Sequence, residues 1–149
     1  MEIKARISNE FEKIELHVCN HAMTDEVRGI LSELHEIYDL QLRATDSKGD
    51  RVLLRPGDVV YFSASGQKVF AGTAEGVYTV NEKLYELEEA LKQSRFVRIS
   101  KSEIVNSRMI KSLDLSVTGT IRITMKNGYE TYVSRRNVAK IKEMMLSKK

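Results

Sequence analysis

The stretch "RVLLRPGDVVYFSASGQKVFAGTAEGVYTV", Arg51–Val80, decides the fold class. It breaks into the short runs RVLLR, DVVYFSA, KVFAGT and GVYTV, rich in Val, Tyr and Phe, and the turn signals RPGD, SGQ and AEG divide them. Their regular spacing suits an all-β sandwich or sheet stack better than βαβ units. The pattern resumes after residue 90 with FVRIS, SLDLSV, TIRITM and ETYVS. Asn127-Gly128 joins the last two through the strongest short hairpin signal available. The predicted class is mainly β with short helices, α+β overall.

Three helical stretches interrupt the strands. Thr24 is placed to cap a helix whose apolar stripe is Val27, Ile30, Leu31, Leu34, Ile37 and Tyr38. Asn81 is placed to cap a second, with Leu84, Leu87 and Leu91 as its buried side. Ser134 opens a third, with Val138, Ile141 and Met145 on one face. Ahead of the β runs, Ile3, Ala5 and Ile7 alternate, and Ile14, Leu16 and Val18 repeat that pattern, so the first 45 residues read as a strand-strand-helix extension. The loop RATDSKGDR separates that unit from residues 46–149.

A chain of 149 residues with one cysteine, Cys19, forms its core without an internal disulfide. The start MEIKARISNEF has neither the basic nor the apolar region of a signal peptide, and no uncharged apolar run approaches the roughly 20 residues that cross a bilayer. A soluble, cytoplasmic protein is expected.

The net charge of +3 is unevenly spread. Residues 1–45 carry 5 Lys/Arg against 9 Asp/Glu, residues 46–90 carry 5 against 8, and residues 91–149 carry 14 against 4. A basic last third points to a polyanionic partner bound by one part of the surface. A solvated basic face is the plain alternative. Arg135 and Arg136 sharpen the question, because the first turn of a helix favours acids by about 0.3–1 kcal/mol. A phosphate held there would account for both cations; two arginines pointing into water would account for them too.

Catalytic signals are weak. His17, Cys19 and His21 in HVCNH fit a strand with a buried Cys and polar neighbours better than a metal centre, since no fourth ligand is near. There is no P-loop, Gly-rich dinucleotide turn, G-x-S-x-G elbow or H-E-x-x-H. No enzyme activity, cofactor or metal is expected. Phe70, Phe96, Tyr129 and Tyr132 fall at apolar phases of strands and are expected in the core, which disfavours single-strand stacking.

The order DVVYFSASGQKVFAGT, LYELEEAL, FVRISKSEIVNSRMIKSLD and MKNGYETYVSRRNVAKIKEMM resembles the LytTR DNA-binding domain of bacterial transcription regulators, over about residues 46–149. The specific pieces are F-x-R-x-x-x-S-x-I-V-N from Phe96 to Asn106 and the ending N-G…V-S-R-R. The resemblance implies an elongated β fold that reaches successive major grooves with loops between strands. It places Gln67 and Lys68 on a first contact loop, Ser100, Lys101 and Ser102 on a second, and Arg135 and Arg136 on a third. Ser100 stands where many members carry a His. Arg136 and Lys101 suit guanine O6/N7 and Gln67 suits adenine N6/N7, each good pair contributing about 1–3 kcal/mol of discrimination. Arg98 and Arg108 suit phosphates.

The N-terminal extension resembles that of stand-alone regulators in this family. This implies control by a small membrane-bound inhibitor protein in place of phosphorylation, a homodimer on tandem half-sites, and the Val27–Tyr38 helix as a dimer or inhibitor surface, with simple packing on the N-terminal strands as the alternative. The competing function is a β-rich protein-interaction module, or another nucleic-acid binder, with a basic end.

Overall fold

The computed structural model describes residues 1–12, 14–38, 41–92, 95–116 and 118–146. Among them are ten strands: β1 Leu42–Thr45, β2 Arg51–Leu54, β3 Val59–Ser65, β4 Lys68–Thr73, β5 Val77–Val80, β6 Phe96–Ser100, β7 Glu103–Asn106, β8 Ile110–Asp114, β9 Ile121–Met125 and β10 Glu130–Val133. The helices are α1 Asp25–Tyr38, α2 Leu84–Ala90 and α3 Val138–Leu146. The strands form a seven-stranded sheet ordered β2-β1-β5-β4-β3-β7-β6 and a three-stranded sheet ordered β10-β9-β8, with antiparallel pairing throughout. The mainly β class expected from the short runs is therefore found.

Two apolar clusters lie on opposite faces of the large sheet. Phe62 of β3 and Ile104 of β7 join Leu84, Leu87 and Leu91 at α2 on one face. Tyr61, Ile99 and Val105 join Ile121, Ile123, Met125, Val133 and Ile141 on the other, under the small sheet and α3. The β3–β7–β6 region is thus the middle layer of three, which is why the run VVYF has no polar alternation. Period-2 geometry would send Val60 and Tyr61 to opposite faces, yet both join the second cluster. The register shift between Val59 and Tyr61 accounts for this, since a bulge turns successive side chains to one side.

Across from Tyr61 lies Gly72, and a Cβ there would stand 2.1 Å from Tyr61 Cε1. The missing side chain is what lets the Tyr61 ring lie over β4 and stack on Tyr129, centroids 3.8 Å apart.

Helix starts follow local acceptors. Thr24 caps α1 as expected, its Oγ1 accepting the Val27 N–H at 3.3 Å. The second helix keeps its Leu84, Leu87, Leu91 stripe but is capped at Lys83, not Asn81, because Glu86 three residues on accepts the Lys83 N–H at 3.1 Å. After Ser134 the chain makes a 3₁₀ turn, Arg135–Asn137, before α3 begins.

The N-terminal expectation is corrected. No strand forms from Glu2 to Ile7 or from Ile14 to Val18 among the described residues; a turn brings the Phe11 N–H to Ser8 O at 3.3 Å, without a ladder. Ile3, Ile7 and Ile14 are exposed, and so is Cys19, which was expected buried. Alternation defines an apolar face but supplies neither a neighbouring strand nor a covering layer, and an isolated hairpin is marginal in water. The RATDSKGDR loop is likewise a turn within the large sheet: Asp46 Oδ1 accepts the Lys48 and Asp50 N–H groups, both at 2.9 Å, between β1 and β2.

With no strands beneath it, α1 packs elsewhere. It lies against the Pro56–Asp58 turn, burying Val27, and its Glu33 carboxylate accepts from Arg95 and Arg108, each at 2.5 Å. The Arg108 and Arg95 guanidiniums hold the Glu33 carboxyl below its ordinary value. A lowered folded-state value means that this stabilisation is complete above the ordinary glutamate range and is lost as pH falls through the depressed value. Hydrogen exchange of α1 amides, relative to those of β3, should quicken on acidification through that window in the wild type and not in Glu33→Gln. At this exposure each pair contributes about 0.2–1 kcal/mol, so the sheet itself should be unaffected.

Candidate nucleic-acid interface

Each predicted contact loop is a tight connection with an identifiable cause. Between β3 and β4, Gly66 takes φ +62 at the first central position, as a type II′ turn demands, and Gln67 and Lys68 are exposed beside it. Between β6 and β7 the turn residues are Lys101 and Ser102, neither of which has positive φ, so a primed turn does not form. A register shift between Arg98 and Ser100 takes its place.

That second tip is held from within by Arg98. Its Nε donates to Ser100 O at 2.6 Å, its Nη2 to Lys101 O at 2.5 Å and its Nη1 to Glu88 Oε2 at 3.0 Å. The Ala64 N–H donates to Ser102 O at 2.8 Å. All three tip carbonyls are therefore tied to the framework, while the Lys101 side chain is left outside and exposed.

The third connection follows β10. Its Ser134 N–H donates to Ile99 O at 2.9 Å, which seats Arg135 and Arg136 beside the second tip. Asn137 Nδ2 donates to Ser134 Oγ at 2.7 Å and its N–H to Ser134 O at 2.8 Å, which fixes the corner. Arg135 leans toward Gly119, its Nε 3.7 Å from where a Cβ would stand.

Register places all three at one end of the fold. Ser63 pairs with Glu103, and Ser65 with Lys68 two residues further along β3, so the first two tips share a sheet end, and the Ser134 bond adds the third. Gln67, Lys68, Arg98, Ser100, Lys101, Ser102, Arg135 and Arg136 are brought together. Among the described residues Lys68, Lys101, Arg135 and Arg136 hold no ion pair. Four unneutralised cations around a rigid end form a local positive field suited to a polyanion.

One predicted residue is placed elsewhere, and another is at the loop end but already engaged. Arg108 follows β7 at its far end, where Asn106 pairs with Phe96, and is bound to Glu33. Arg98 reaches the right end but spends its guanidinium on the tip. Arg98→Ala should therefore lower stability by about 1.5–3 kcal/mol, the range for hydrogen bonds from a charged donor, as read by denaturant unfolding; an unchanged midpoint would count against the brace.

Of the four aromatic rings expected in the core, Tyr132 is exposed. β10 buries Thr131 and Val133, so Tyr132 between them is turned to the opposite, open face. Tyr129 stays inside, on Tyr61. The sequence reading passed over Glu103, which accepts hydroxyl hydrogen bonds from Tyr129 and Thr131. Its signal was present: it is the sole acid between Arg95 and Ile110.

The LytTr DNA-binding domain family model matches residues 49–146. The chain belongs to the LytTr family. Members are DNA-binding transcriptional regulators, which is the class the loop end and its cations suit. The chain is similar to an uncharacterized HTH-type transcriptional regulator of Staphylococcus aureus strain COL, 34% identical over 139 residues, 93% of this chain and 92% of that one. A counterpart in strain MW2 is 33% identical over 136 residues, covering 90% and 92%. A solved LytTr domain from Bacillus cereus shares the fold with a TM-score of 0.65 at 24% identity, over 70% of this chain and 95% of that one.

Those relatives are named for a helix-turn-helix, whose second helix lies in the major groove. In this LytTr chain α1 and α2 each lead into a strand, and α3 follows a strand and a 3₁₀ turn, so among the described residues no helix pair has that arrangement. Among the described residues no helix is long and apolar enough to cross a membrane.

Proposed function

We propose that the protein is a sequence-specific regulator of transcription that reads double-stranded DNA with the three loops at one end of its sheets. The observation that carries this is the gathering of Gln67, Lys101 and Arg136 around a braced edge with unpaired cations. Arg136 and Lys101 read guanine edges and Gln67 an adenine edge in the major groove. Lys68, Ser100, Ser102 and Arg135 hold phosphates and fix the register. Arg98 acts on the DNA through the tip it braces, and Arg108 serves α1.

The regulator acts in the cytoplasm as a homodimer on tandem half-sites. The exposed Ile3, Ile7 and Ile14 supply apolar area for a second copy or for a small membrane-bound inhibitor, with α1 as a further surface for either, and the inhibitor sets activity in place of phosphorylation. Selection from a random duplex pool tests this reading. Two similarly oriented half-sites about 10–10.5 bp apart should emerge. Affinity for the selected duplex should fall by about 0.9 log units per phosphate contact for each tenfold rise in salt. Micromolar or weaker binding to every sequence would overturn the proposal and favour the protein-interaction module, whose partner binding would lack that slope.

A further inference from the structure

We propose that Glu103 is a positioning residue that sets the second contact loop against the third, so that Lys101 and Arg136 meet the DNA at a fixed separation. The role rests on the DNA reading above and extends it to residues that touch no DNA.

Glu103 is the first residue of β7, directly after the Lys101-Ser102 turn, and it belongs to the large sheet. Its two carboxylate oxygens accept from different residues of the small sheet's hairpin: Oε1 from the Tyr129 hydroxyl and Oε2 from the Thr131 hydroxyl. Burial and the neighbouring Glu103 carboxylate raise the Tyr129 hydroxyl above the ordinary tyrosine value, so it keeps its proton and its bond to Glu103 even in alkaline solution.

The hairpin so gripped leads through β10 into Ser134, Arg135 and Arg136. At its other end the same strand returns to the second tip, where the Ser134 N–H meets Ile99 O at 2.9 Å. The two sheets are thereby joined on both sides of the gap between loops, by a backbone bond at Ile99 and by a bidentate carboxylate at Glu103. Apolar packing alone would hold the sheets together without fixing their slide, because it has no direction. Paired hydrogen bonds to a carboxylate do have one. Tyr61 adds to the fit by stacking on the Tyr129 ring from β3.

Binding by fluorescence anisotropy, with the selected duplex and a shuffled one, tests the role. Glu103→Ala should reduce the ratio of selected to shuffled affinity by about ten- to a hundredfold, the discrimination of one base contact, and leave shuffled affinity within about twofold. Glu103→Gln keeps the shape, accepts one hydroxyl and donates to the other, so it should restore most of the ratio. Arg136→Ala should then cost less on the Glu103→Ala background than in the wild type, a coupling that a residue serving stability alone would not produce. Should Glu103→Ala not fold, Tyr129→Phe and Thr131→Val each remove one arm and should each lower the ratio. An unchanged ratio in variants that fold, or strict additivity with Arg136→Ala, would overturn the role. A wild type that fails to discriminate would overturn the DNA reading itself, which keeps the two failures distinct.

Discussion

Gly72→Ala should lower the stability of the protein by about 3 kcal/mol, the upper part of the range for overfilling a packed interior, although it adds a single methyl group. Its Cβ would stand 2.1 Å from Cε1 and 2.3 Å from Cζ of Tyr61, distances that no side-chain rotation of alanine can relieve. Either the Tyr61 ring leaves its place or β3 and β4 separate. The ring cannot leave cheaply. It stacks on Tyr129 at 3.8 Å, and Tyr129 holds Glu103 beside the second tip. Denaturant unfolding should show the loss, and near-ultraviolet circular dichroism should show the tyrosine environment change at concentrations where the protein is still folded. Gly57→Ala is the control: nothing stands within 4 Å of a Cβ there, so its midpoint should move little. Equal stability of the two variants would mean that the Tyr61 ring is not held against β4.

The second large effect falls on binding. Lys101→Ala and Arg136→Ala in one chain should cost about 2–6 kcal/mol against the selected duplex, the sum of two base contacts worth about 1–3 kcal/mol each. Single variants should each relax preference at one position of the half-site. The double variant should fold as the wild type does, since both side chains are exposed and unpaired among the described residues. An affinity within about twofold of the wild type would remove these residues as readers.

Whether a feature was legible depended on how local its cause is. The Gly66 turn and the Leu84, Leu87, Leu91 stripe of α2 arise within a few residues of themselves, and reading them required no knowledge of the rest of the chain. The Asn127-Gly128 hairpin is of the same kind: Gly128 takes φ +91, and the Asn127 side chain accepts the Tyr129 N–H at 3.0 Å. The order of the three connections at that end was equally legible, because each joins two readable elements.

Features with distant causes were misread. Alternation at Ile3, Ala5 and Ile7 suggested a strand, but pairing depends on a neighbour that no local pattern reveals. For Arg98 and Arg108, expected at phosphates, nothing in the sequence pointed to the partners they have within the fold, because a cation's partner is set by tertiary placement. Arg98 finds the carbonyls of its own tip and Glu88 of α2; Arg108 finds Glu33 of α1. The charge excess of the last third was real, yet only part of it is free for a polyanion. Glu103 shows the converse: the single acid in a basic stretch helps tie that stretch to the other sheet.

The most direct test of the central claim is amide hydrogen exchange on the full chain with and without the selected duplex. Protection on DNA addition should appear at Ser65–Lys68, Ser100–Ser102 and Ser134–Arg136, with α1 and the Ile110 end of β8 unchanged. Protection absent from all three loops, or confined to α1 and the residues before it, would contradict a DNA interface at this end of the molecule.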